Sequence, residues 1–425
     1  MLQKNRLLIV SLVLCFVFVQ TVFAENQIIL PNDLKIIQQE AFAGIPIEKI
    51  DLPEGLVEIS FRAFAYTGMN SVYIPKSVQR IAEDAFLGCQ NLIFLVYAGS
   101  YADDWCTSNE FNCHHVQEME LGAEYHTQQQ IRIFANSHPV DLESDTTFRQ
   151  LATGDPDPFA PGLISNESLE SAVNMVNQIR YIVGLNADVV NDPTYERQAA
   201  SAAFVDTLLG ELTHTPGRPA VLEDSSYDSL YNDAYAGASN SNLHANWEGN
   251  SATSVLAYMN DSDDSNIAKL GHRRWVMNTQ MKKTGFGVAD LDYDWQIFAM
   301  YISDTSGSFS SKSFAWPAQQ TPISYFNHDP DIPAAWSVSL GNPLSESAVK
   351  VTLTRKRDGK TWYFSSAKSD GDFYINNDNY ELLSSCVIFR PENLGTIQDG
   401  DIFEVIVRDD NTYSALKYSV TFFNL

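Results

Sequence analysis

Basic residues are scarce in this chain of 425 residues, which has 27 Lys and Arg against 53 Asp and Glu and a formal net charge of -26. A surface with this excess of negative charge repels nucleic acid and anionic membranes, and it favours cations or basic partners. Solubility outside the cell explains the same charge equally well. The composition therefore argues against nucleic-acid binding and does not choose among ligands of other kinds.

Cysteine is also scarce, with five residues, and the chain has no Cys-x-x-Cys or paired Cys/His spacing of a zinc site. Cys106 and Cys113 are close in sequence, so we predict a disulfide between them outside the cell. Cys89 and Cys386 lie in apolar segments and are predicted to be buried free thiols. A zinc site formed by Cys113 and the two histidines that follow it is the weaker interpretation.

Long apolar runs are limited to one, Leu7–Val19, near the amino terminus. Lys4 and Arg6 precede the run and a small-residue ending at Ala24 follows it, which is the order typical of a secretory signal peptide. The run is shorter than the roughly 20 apolar residues that a membrane-spanning helix needs. We therefore predict a signal peptide over residues 1–24, a secreted or cell-surface-associated protein, and no membrane span.

Nucleotide and serine-hydrolase motifs are missing as well. The chain has no phosphate-binding loop, no dinucleotide fingerprint and no Gly-x-Ser-x-Gly elbow. Nucleotide cofactors and catalysis by an elbow serine are therefore not implied. Apolar residues make up 44% of the chain, so packed cores are expected and wholesale disorder is excluded.

A 22-residue repeat follows the predicted signal peptide. The copies that align without gaps are Leu30–Asp51, Leu52–Tyr73 and Ile74–Leu95. Each copy carries an Ala-Phe pair at the same position, and the three phenylalanines are Phe42, Phe64 and Phe86. A unit this short cannot bury its own apolar face, so neighbouring units must stack into a solenoid. The pattern resembles the BspA-type leucine-rich repeat of surface proteins, in which Ala-Phe marks the interior turn of each coil.

We predict that residues 25–116 form this array, with Ser100 capping a short helix that closes it. Residues 117–164 are irregular in pattern and contain a proline-rich stretch at 154–161, so they are predicted to be a linker. Helical patterning follows, and its predicted helices are Ser165 to Gly184, Pro193 to about Leu209, and Ala252 to Met259. Alternating segments at 284–288 and 295–302 predict strands.

From Phe314 onward the pattern changes to short alternating strands separated by Asp-Gly turns. This pattern of short strands and turns predicts an all-β sandwich over residues 313–425. The whole chain is thus predicted to be multidomain, with a repeat solenoid, a helical and mixed domain, and a β domain in that order.

The middle region, residues 165–312, carries several motifs in a recognisable order. They are Asn177-Gln178-Ile179-Arg180, Leu212-Thr213-His214-Thr215, Gly271-His272-Arg273 and Gly285-Phe286-Gly287. This order resembles the CAP superfamily of cysteine-rich secretory, antigen 5 and pathogenesis-related 1 proteins (the SCP domain), in its bacterial form. The resemblance implies an α-β-α sandwich with a central cleft.

The resemblance also implies a candidate site. Members of this family often carry two histidines and two glutamates around the cleft, sometimes with a divalent metal, and His214 and His272 match the two histidines. Ser241 stands where the first glutamate is expected, and the second acid has no clear match, although Asp261, Asp263 and Asp264 lie nearby in the sequence. Imidazole and carboxylate ligands suit zinc, so His214 and His272 are the candidate metal ligands and Ser241 joins them as a candidate cleft residue.

Structural roles are the alternative for each of these residues. His214 is equally well explained as a cap of the preceding helix, and His272 as a structural residue at a helix start. Arg273 and Arg274 are better explained by salt bridges and packing that stabilise the domain than by substrate binding. The acidic stretch 260–266 lacks the glutamate and the turn glycine of a calcium loop, so a solvated loop is expected there.

The sequence leaves two functions open. The modular layout and the incomplete set of acids favour a secreted binding protein whose repeats and cleft bind an extracellular protein, a cell-wall glycan or a lipid. The alternative is a metal-dependent hydrolase that acts on peptide or cell-wall material through His214 and His272.

Overall fold

The computed structural model describes residues 27–154, 158–289, 295–310, 312–327, 333–380 and 383–425. The predicted signal peptide lies outside these residues. The chain divides into two compact units, Met1–Glu118 with Asp409–Ala415, and Met119–Arg408 with Leu416–Leu425. Within the described ranges, no helix is both long enough and apolar enough to cross a membrane.

The first unit consists of short parallel strands and one helix. Its elements are β1 (Gln27–Ile29), β2 (Ile36–Ile37), β3 (Lys49–Asp51), β4 (Glu58–Ile59), β5 (Ser71–Tyr73), β6 (Arg80–Ile81), β7 (Ile93–Val96), α1 (Tyr101–Ser108) and β8 (Asn112–His115). Strands β2, β4 and β6 form one sheet, β5, β7 and β8 form a second, and β1 pairs with β3. The strands of each sheet are parallel, and Ile37, Ile59 and Ile81 stand in register one repeat apart. Each 22-residue repeat is therefore one coil of the array.

The predicted Ala-Phe turns form the centre of this unit. Phe64 is fully buried, and its ring stacks on Phe42 at 5.3 Å and on Phe86 at 5.2 Å between centroids. The preceding alanines are small enough to let successive turns approach each other. Ser100 accepts a hydrogen bond from the backbone of Asp103 and begins α1, as the sequence predicts. The repeat assignment is confirmed.

The second unit begins with the segment that the sequence analysis assigns to a linker. Its elements up to the first long helix are β9 (Gln117–Met119, which starts in the first unit), α2 (Gln128–Ser137), β10 (Phe148–Gln150) and β11 (Leu163–Ile164). Thr127 and Gln130 form a capping box at the start of α2, and Ile131 is buried in the core. Residues 117–164 thus contain a helix and short strands where the sequence predicts an irregular linker, and Ile131 is the one buried residue of a helix that otherwise looks polar.

Helices and a small sheet form the next part of the second unit. Its elements are α3 (Asn166–Val183), β12 (Val190–Asn191), α4 (Pro193–Leu209), α5 (Asp228–Ser239), β13 (Ser241–Asn246), α6 (Ser251–Asn260), α7 (Gly271–Val276), β14 (Lys283–Thr284), β15 (Phe286–Ala289) and β16 (Gln296–Tyr301), with two 3-10 turns at 220–222 and 225–227. Ser165 caps α3, and Gly184 ends it in the left-handed conformation, as predicted.

Strands β13, β16 and β15 form an antiparallel sheet with helices on both faces. On one face Phe298 and Met300 of β16 share a core with α3 and α6. On the other face Ile297 and Ala299 pack in a core with α4 and α5. Gly287 of β15 lies so close to α4 that a Cβ there would sit 2.2 Å from the Ala200 nitrogen, so the alanine-rich helix rests directly on the strand.

The last part of the second unit is largely β. Its elements are β17 (Phe314–Trp316), β18 (Gln320–Pro322), α8 (Ile323–Phe326), β19 (Trp336–Leu340), β20 (Val349–Arg355), β21 (Thr361–Phe364), β22 (Gly371–Asn376), β23 (Ser385–Pro391), β24 (Ile402–Asp409) and β25 (Ser414–Phe423). One sheet has the order β17-β19-β23-β22, and the other contains β18-β25-β24-β20-β21. Trp336 of the first sheet stacks on Phe389 of the same sheet and packs on Phe403 and Phe422 of the second.

The predicted boundary between residues 312 and 313 does not separate two cores. One continuous core contains Met175 and Val255 from the helical part and Trp316 and Trp336 from the β part. The two predicted domains therefore lie within a single compact unit.

Candidate functional site

His272 and Asp261 form the tightest arrangement among the predicted site residues. Asp261 ends α6 in the left-handed conformation, with φ at 43°. Its buried carboxylate accepts hydrogen bonds from Nδ1 of His272 at 2.8 Å and from the backbone nitrogens of His272 and Arg273 at 2.9 and 3.3 Å. One carboxylate therefore both caps α7 and orients the imidazole.

The pKa of His272 is raised above its ordinary value of 6.5. Burial lowers this pKa, but the hydrogen bond to Asp261 and the negative charges of Asp261 and Asp263 outweigh burial. The imidazole side chain is 26% exposed, so it remains open on one side. The imidazolium form is therefore more favoured than in a free histidine, which works against a role as metal ligand because metals bind the neutral ring.

We expect Asp261→Asn to lower the pKa of His272, because the amide carries no charge to stabilise the imidazolium. In the wild type the pair stabilises the fold fully below the unfolded pKa of about 6.5, and this contribution is lost as pH rises through the raised folded pKa. An NMR titration of the His272 ring, with urea unfolding at pH 5 and pH 8, measures both effects. Asp264→Asn, at an exposed position three residues further along the chain, is the matched control, and an unchanged His272 titration in Asp261→Asn would contradict the assignment.

His214 does not cap the alanine-rich helix, contrary to that alternative. Gly210 ends α4 in the left-handed conformation, and its amide closes the last turn. The Nδ1 atom of His214 instead lies 2.8 Å from the carbonyl oxygen of Ala238 in α5, and Ser239 donates its hydroxyl to the carbonyl of His214. His214 therefore ties the loop after α4 to the carboxyl end of α5.

Ser241 begins β13, pairs with Tyr301 in the sheet, and is 4% exposed. Its hydroxyl oxygen is buried without a hydrogen-bond partner. Across the described part of the chain, no hydrogen bond or ring contact joins His214, Ser241 and His272 to one another. The structure thus brings His272 to Asp261, and no direct hydrogen bond among the described residues links this pair to His214 or Ser241.

Tyr258 contacts His272, and His244 in turn contacts Tyr258; neither is singled out from the sequence. The Tyr258 ring lies 5.8 Å from the His272 ring and 6.0 Å from the His244 ring, and its hydroxyl donates to the carbonyls of Asn242 and Phe298. The side-chain amide of Asn242 donates to the His272 carbonyl. Asn242 and His244 are two residues apart in a strand and therefore lie on the same face, and this spacing is the sequence signal that points to the group.

Asp206 is a second buried carboxyl group close to a predicted site residue. It is fully buried in α4; one oxygen accepts from the backbone nitrogen of Thr213 at 3.0 Å, and the other has no partner. Burial raises the pKa of Asp206 to about 7, opposed by the Thr213 hydrogen bond and helped by the charge of Glu211. The group therefore titrates near neutral pH, and its hydrogen-bond donor Thr213 directly precedes His214.

We expect Asp206→Asn to stabilise the second unit by about 1 to 3 kcal/mol at pH 8. The folded state binds the proton of Asp206 more tightly than the unfolded state does. The free energy of unfolding of the wild type therefore falls as pH rises from the ordinary pKa of 3.8 to the folded pKa of about 7. The asparagine variant should lack this fall. Urea unfolding at pH 5 and 8 tests it, with the exposed Asp228→Asn as control; equal pH dependence in variant and wild type would contradict it.

The two arginines of the Gly271 motif bind backbone and polar groups of the same unit. Arg273 is fully buried among carbonyl oxygens, and no ion pair to it occurs in the described ranges. Arg274 donates to Asn376 and to the Asp378 carbonyl, and its guanidinium lies 4.9 Å from the Tyr380 ring centroid. Both therefore stabilise the fold as predicted, although Arg273 does so by hydrogen bonds and not by a salt bridge.

Over the described residues, no group of three or more His, Cys, Asp or Glu side chains is arranged to hold a metal ion. Cys106 and Cys113 are free thiols in hydrogen-bonding contact, and Cys106 is fully buried. A disulfide between them stays a prediction. Cys386 is buried as predicted, whereas Cys89 is only partly buried.

The repeat turns carry a second candidate site, which the sequence analysis did not locate. Phe61, Tyr66 and Leu87 of these turns are 43%, 63% and 38% exposed. Beside the third turn lies a cavity of about 710 Å³ lined by ten residues that include Phe61 and Leu87. Exposed aromatic and aliphatic side chains beside a cavity are typical of a binding surface.

Comparison with known proteins supports the repeat region alone. Residues 16–141 match the family described as BspA type Leucine rich repeat region, in six copies. The match extends the three predicted copies in both directions, into the predicted signal peptide and into the predicted linker. No curated protein and no solved structure matches the chain significantly.

Proposed function

We propose that this chain is an exported, surface-associated protein that binds other extracellular proteins through its leucine-rich repeats. The observation that carries the proposal is the BspA-type repeat match over residues 16–141, together with the exposed apolar side chains and the cavity on the stacked turns. The amino-terminal order of basic residues, apolar run and small residues supports export. Cell-wall glycan and lipid are the other ligand classes that the sequence leaves open.

We further propose that residues 165–312 are a CAP-type domain that serves as a scaffold, followed by a β-sandwich over residues 313–425. The order of the His214 and Gly271 motifs supports the first assignment, as do the helices on both faces of the β13-β16-β15 sheet. Two sheets that share an aromatic core support the second. The lack of a hydrogen bond that joins His272 to His214 or Ser241 among the described residues favours a scaffold over a catalytic cleft.

The binding function is tested with the mature chain against three immobilised sets: extracellular matrix proteins, purified cell-wall glycan, and vesicles of anionic and neutral lipid. We expect binding to at least one protein, with slower amide hydrogen exchange on binding confined to residues 27–118. Binding to glycan or lipid alone, or protection confined to residues 165–312, would contradict the proposal.

A metal-dependent hydrolase is the second candidate, and one observation favours it. Nδ1 of His214 and Nδ1 of His272 each contact an oxygen acceptor, which leaves Nε2 as the available nitrogen in the manner of oriented metal ligands. The raised pKa of His272 opposes this function. Metal analysis of the purified protein tests it, and unchanged metal content and hydrolytic activity in a His214→Ala, His272→Ala double variant would exclude these ligands.

A further inference from the structure

The turns of successive coils are joined by backbone hydrogen bonds that all run in one direction. The N–H of Phe42 donates to the Ala63 carbonyl at 2.8 Å, and the N–H of Phe64 donates to the Ala85 carbonyl at 2.8 Å. Each turn therefore gives its N–H groups to the next turn along the chain. The equivalent donor of the third turn is the N–H of Phe86, and no acceptor for it occurs among the described residues.

A second donor in each turn behaves in the same way. The N–H of Gly44 donates to the Ala65 carbonyl at 2.7 Å, and the N–H of Tyr66 donates to the Leu87 carbonyl at 2.7 Å. The corresponding N–H of Gly88 in the third turn has no acceptor within the described ranges. The turn ladder thus ends with two donors that lack an acceptor among the described residues; Gly88 is exposed and Phe86 is buried. A row of backbone donors without acceptors is a template for pairing with another chain.

The cavity of about 710 Å³ lies at this open end. Phe86 and Gly88 line it, together with Phe111, Leu87 and the partly buried Cys89. Phe86 and Phe111 supply an apolar lining beside the open donors. The volume falls within the roughly 300–1,000 Å³ of typical ligand sites, so it accommodates a side chain with adjoining backbone.

The charged residues that line the cavity are all acidic. They are Glu83, which is exposed, and Asp84, whose carboxylate lies 3.3 Å from Nε of Arg62; no lysine or arginine lines the cavity. The chain as a whole has a net charge of -26. A ligand that combines an apolar side chain with a flanking positive charge is therefore complementary to this site.

We propose that the open end of the turn ladder is the docking site for a peptide segment of a partner protein. Backbone carbonyls of the segment accept hydrogen bonds from the N–H groups of Phe86 and Gly88. An apolar side chain of the segment enters the cavity between Phe86 and Phe111, and a neighbouring lysine or arginine lies against Glu83. This inference rests on the proposed protein-binding function and names its site and the chemistry of its ligand.

The test uses a fluorescein-labelled peptide, Lys-Leu-Phe-Leu-Lys-amide, and its counterpart with both lysines replaced by glutamate. Fluorescence polarisation with the mature chain should show saturable binding of the basic peptide and about tenfold weaker binding of the acidic one. Glu83→Lys should weaken the basic peptide about tenfold at low salt. Gln39→Lys, at the same repeat position in the first turn, is the matched control and should change binding less than about twofold.

Two further measurements locate the peptide. Phe61→Ser at the cavity should weaken binding about tenfold, whereas Ile36→Ser, which removes an apolar side chain of similar exposure outside the cavity, should not. When the labelled peptide binds, amide hydrogen exchange of the protein should slow in residues 82–90. The stability of each variant is compared by urea unfolding, so that a misfolded variant is not counted as a binding loss.

Several results would overturn the docking site. The first three are equal binding by Glu83→Lys and Gln39→Lys, equal binding of the acidic and basic peptides, and protection from hydrogen exchange outside residues 82–90. The fourth is self-association of the chain that Glu83→Lys abolishes, because that result would assign the site to a second copy of the chain. If the chain binds an extracellular protein and neither Glu83→Lys nor Phe61→Ser weakens it, the docking site is wrong and the proposed function stands. If the chain binds no protein at all, the proposed function itself fails.

Discussion

Phe64→Ala is expected to lower the free energy of unfolding of the first unit by about 3 to 5 kcal/mol. Phe64 is fully buried and its ring stacks on those of Phe42 and Phe86, so truncation leaves a cavity in the middle of the array. The second coil also accepts backbone hydrogen bonds from the first turn and donates backbone hydrogen bonds to the third. In a repeat array each unit is stabilised only by its neighbours, so loss of the middle ring should loosen both adjacent coils.

Amide hydrogen exchange at increasing urea measures this effect, because it reports residues 27–118 separately from the second unit. The matched control is Phe61→Ala in the same turn, whose side chain is 43% exposed and should change stability by less than about 1 kcal/mol. The stacking model would be contradicted if Phe64→Ala loosened the second coil alone, or if both variants cost the same.

The repeats could be predicted because each coil uses the same residues for the same contacts. Ile37, Ile59 and Ile81 recur at one spacing, and that spacing is the register of the parallel strands. Helix ends were equally readable, since Ser165 and Gly184 act within their own turn. Structure can therefore be predicted from the sequence where the contacts that fix it lie within a few residues or recur at the same position of every repeat.

Contacts between distant segments could not be predicted in this way. The helix Gln128–Ser137 reads as polar, and the contacts that fix it include Ile131 in the core and the ring of Phe134 stacked on Tyr181 at 4.1 Å. Asp261 stood among three candidate acids, and its selection depends on a left-handed backbone that turns its carboxylate towards His272. The sequence also does not predict the open end of the turn ladder. That end exists because the described chain after the third turn supplies no acceptor for the N–H groups of Phe86 and Gly88.

Arg273 illustrates the same limit and gives the second large prediction. Its guanidinium donates to the carbonyls of Met259 and Asn260 at 2.6 and 2.7 Å, and to the Ala335 carbonyl and the Ser337 hydroxyl at 2.8 and 3.1 Å. Burial lowers the pKa of Arg273 to about 10, which still leaves it charged at neutral pH. A single buried cation therefore joins the end of α6 to β19 across the boundary that the sequence predicted between two domains.

We expect Arg273→Met to cost about 3 to 5 kcal/mol of unfolding free energy, because methionine fills part of the volume but leaves buried carbonyl oxygens without donors. Hydrogen exchange should rise at both ends of the contact, in residues 256–275 and 333–340. Arg197→Met is the matched control, since Arg197 is 53% exposed and its ion pair with Asp233 should contribute less than about 1 kcal/mol. If Arg273→Met loosened only residues 256–275, the β part would be held by other contacts; loosening of both segments would show that Arg273 makes them one cooperative unit.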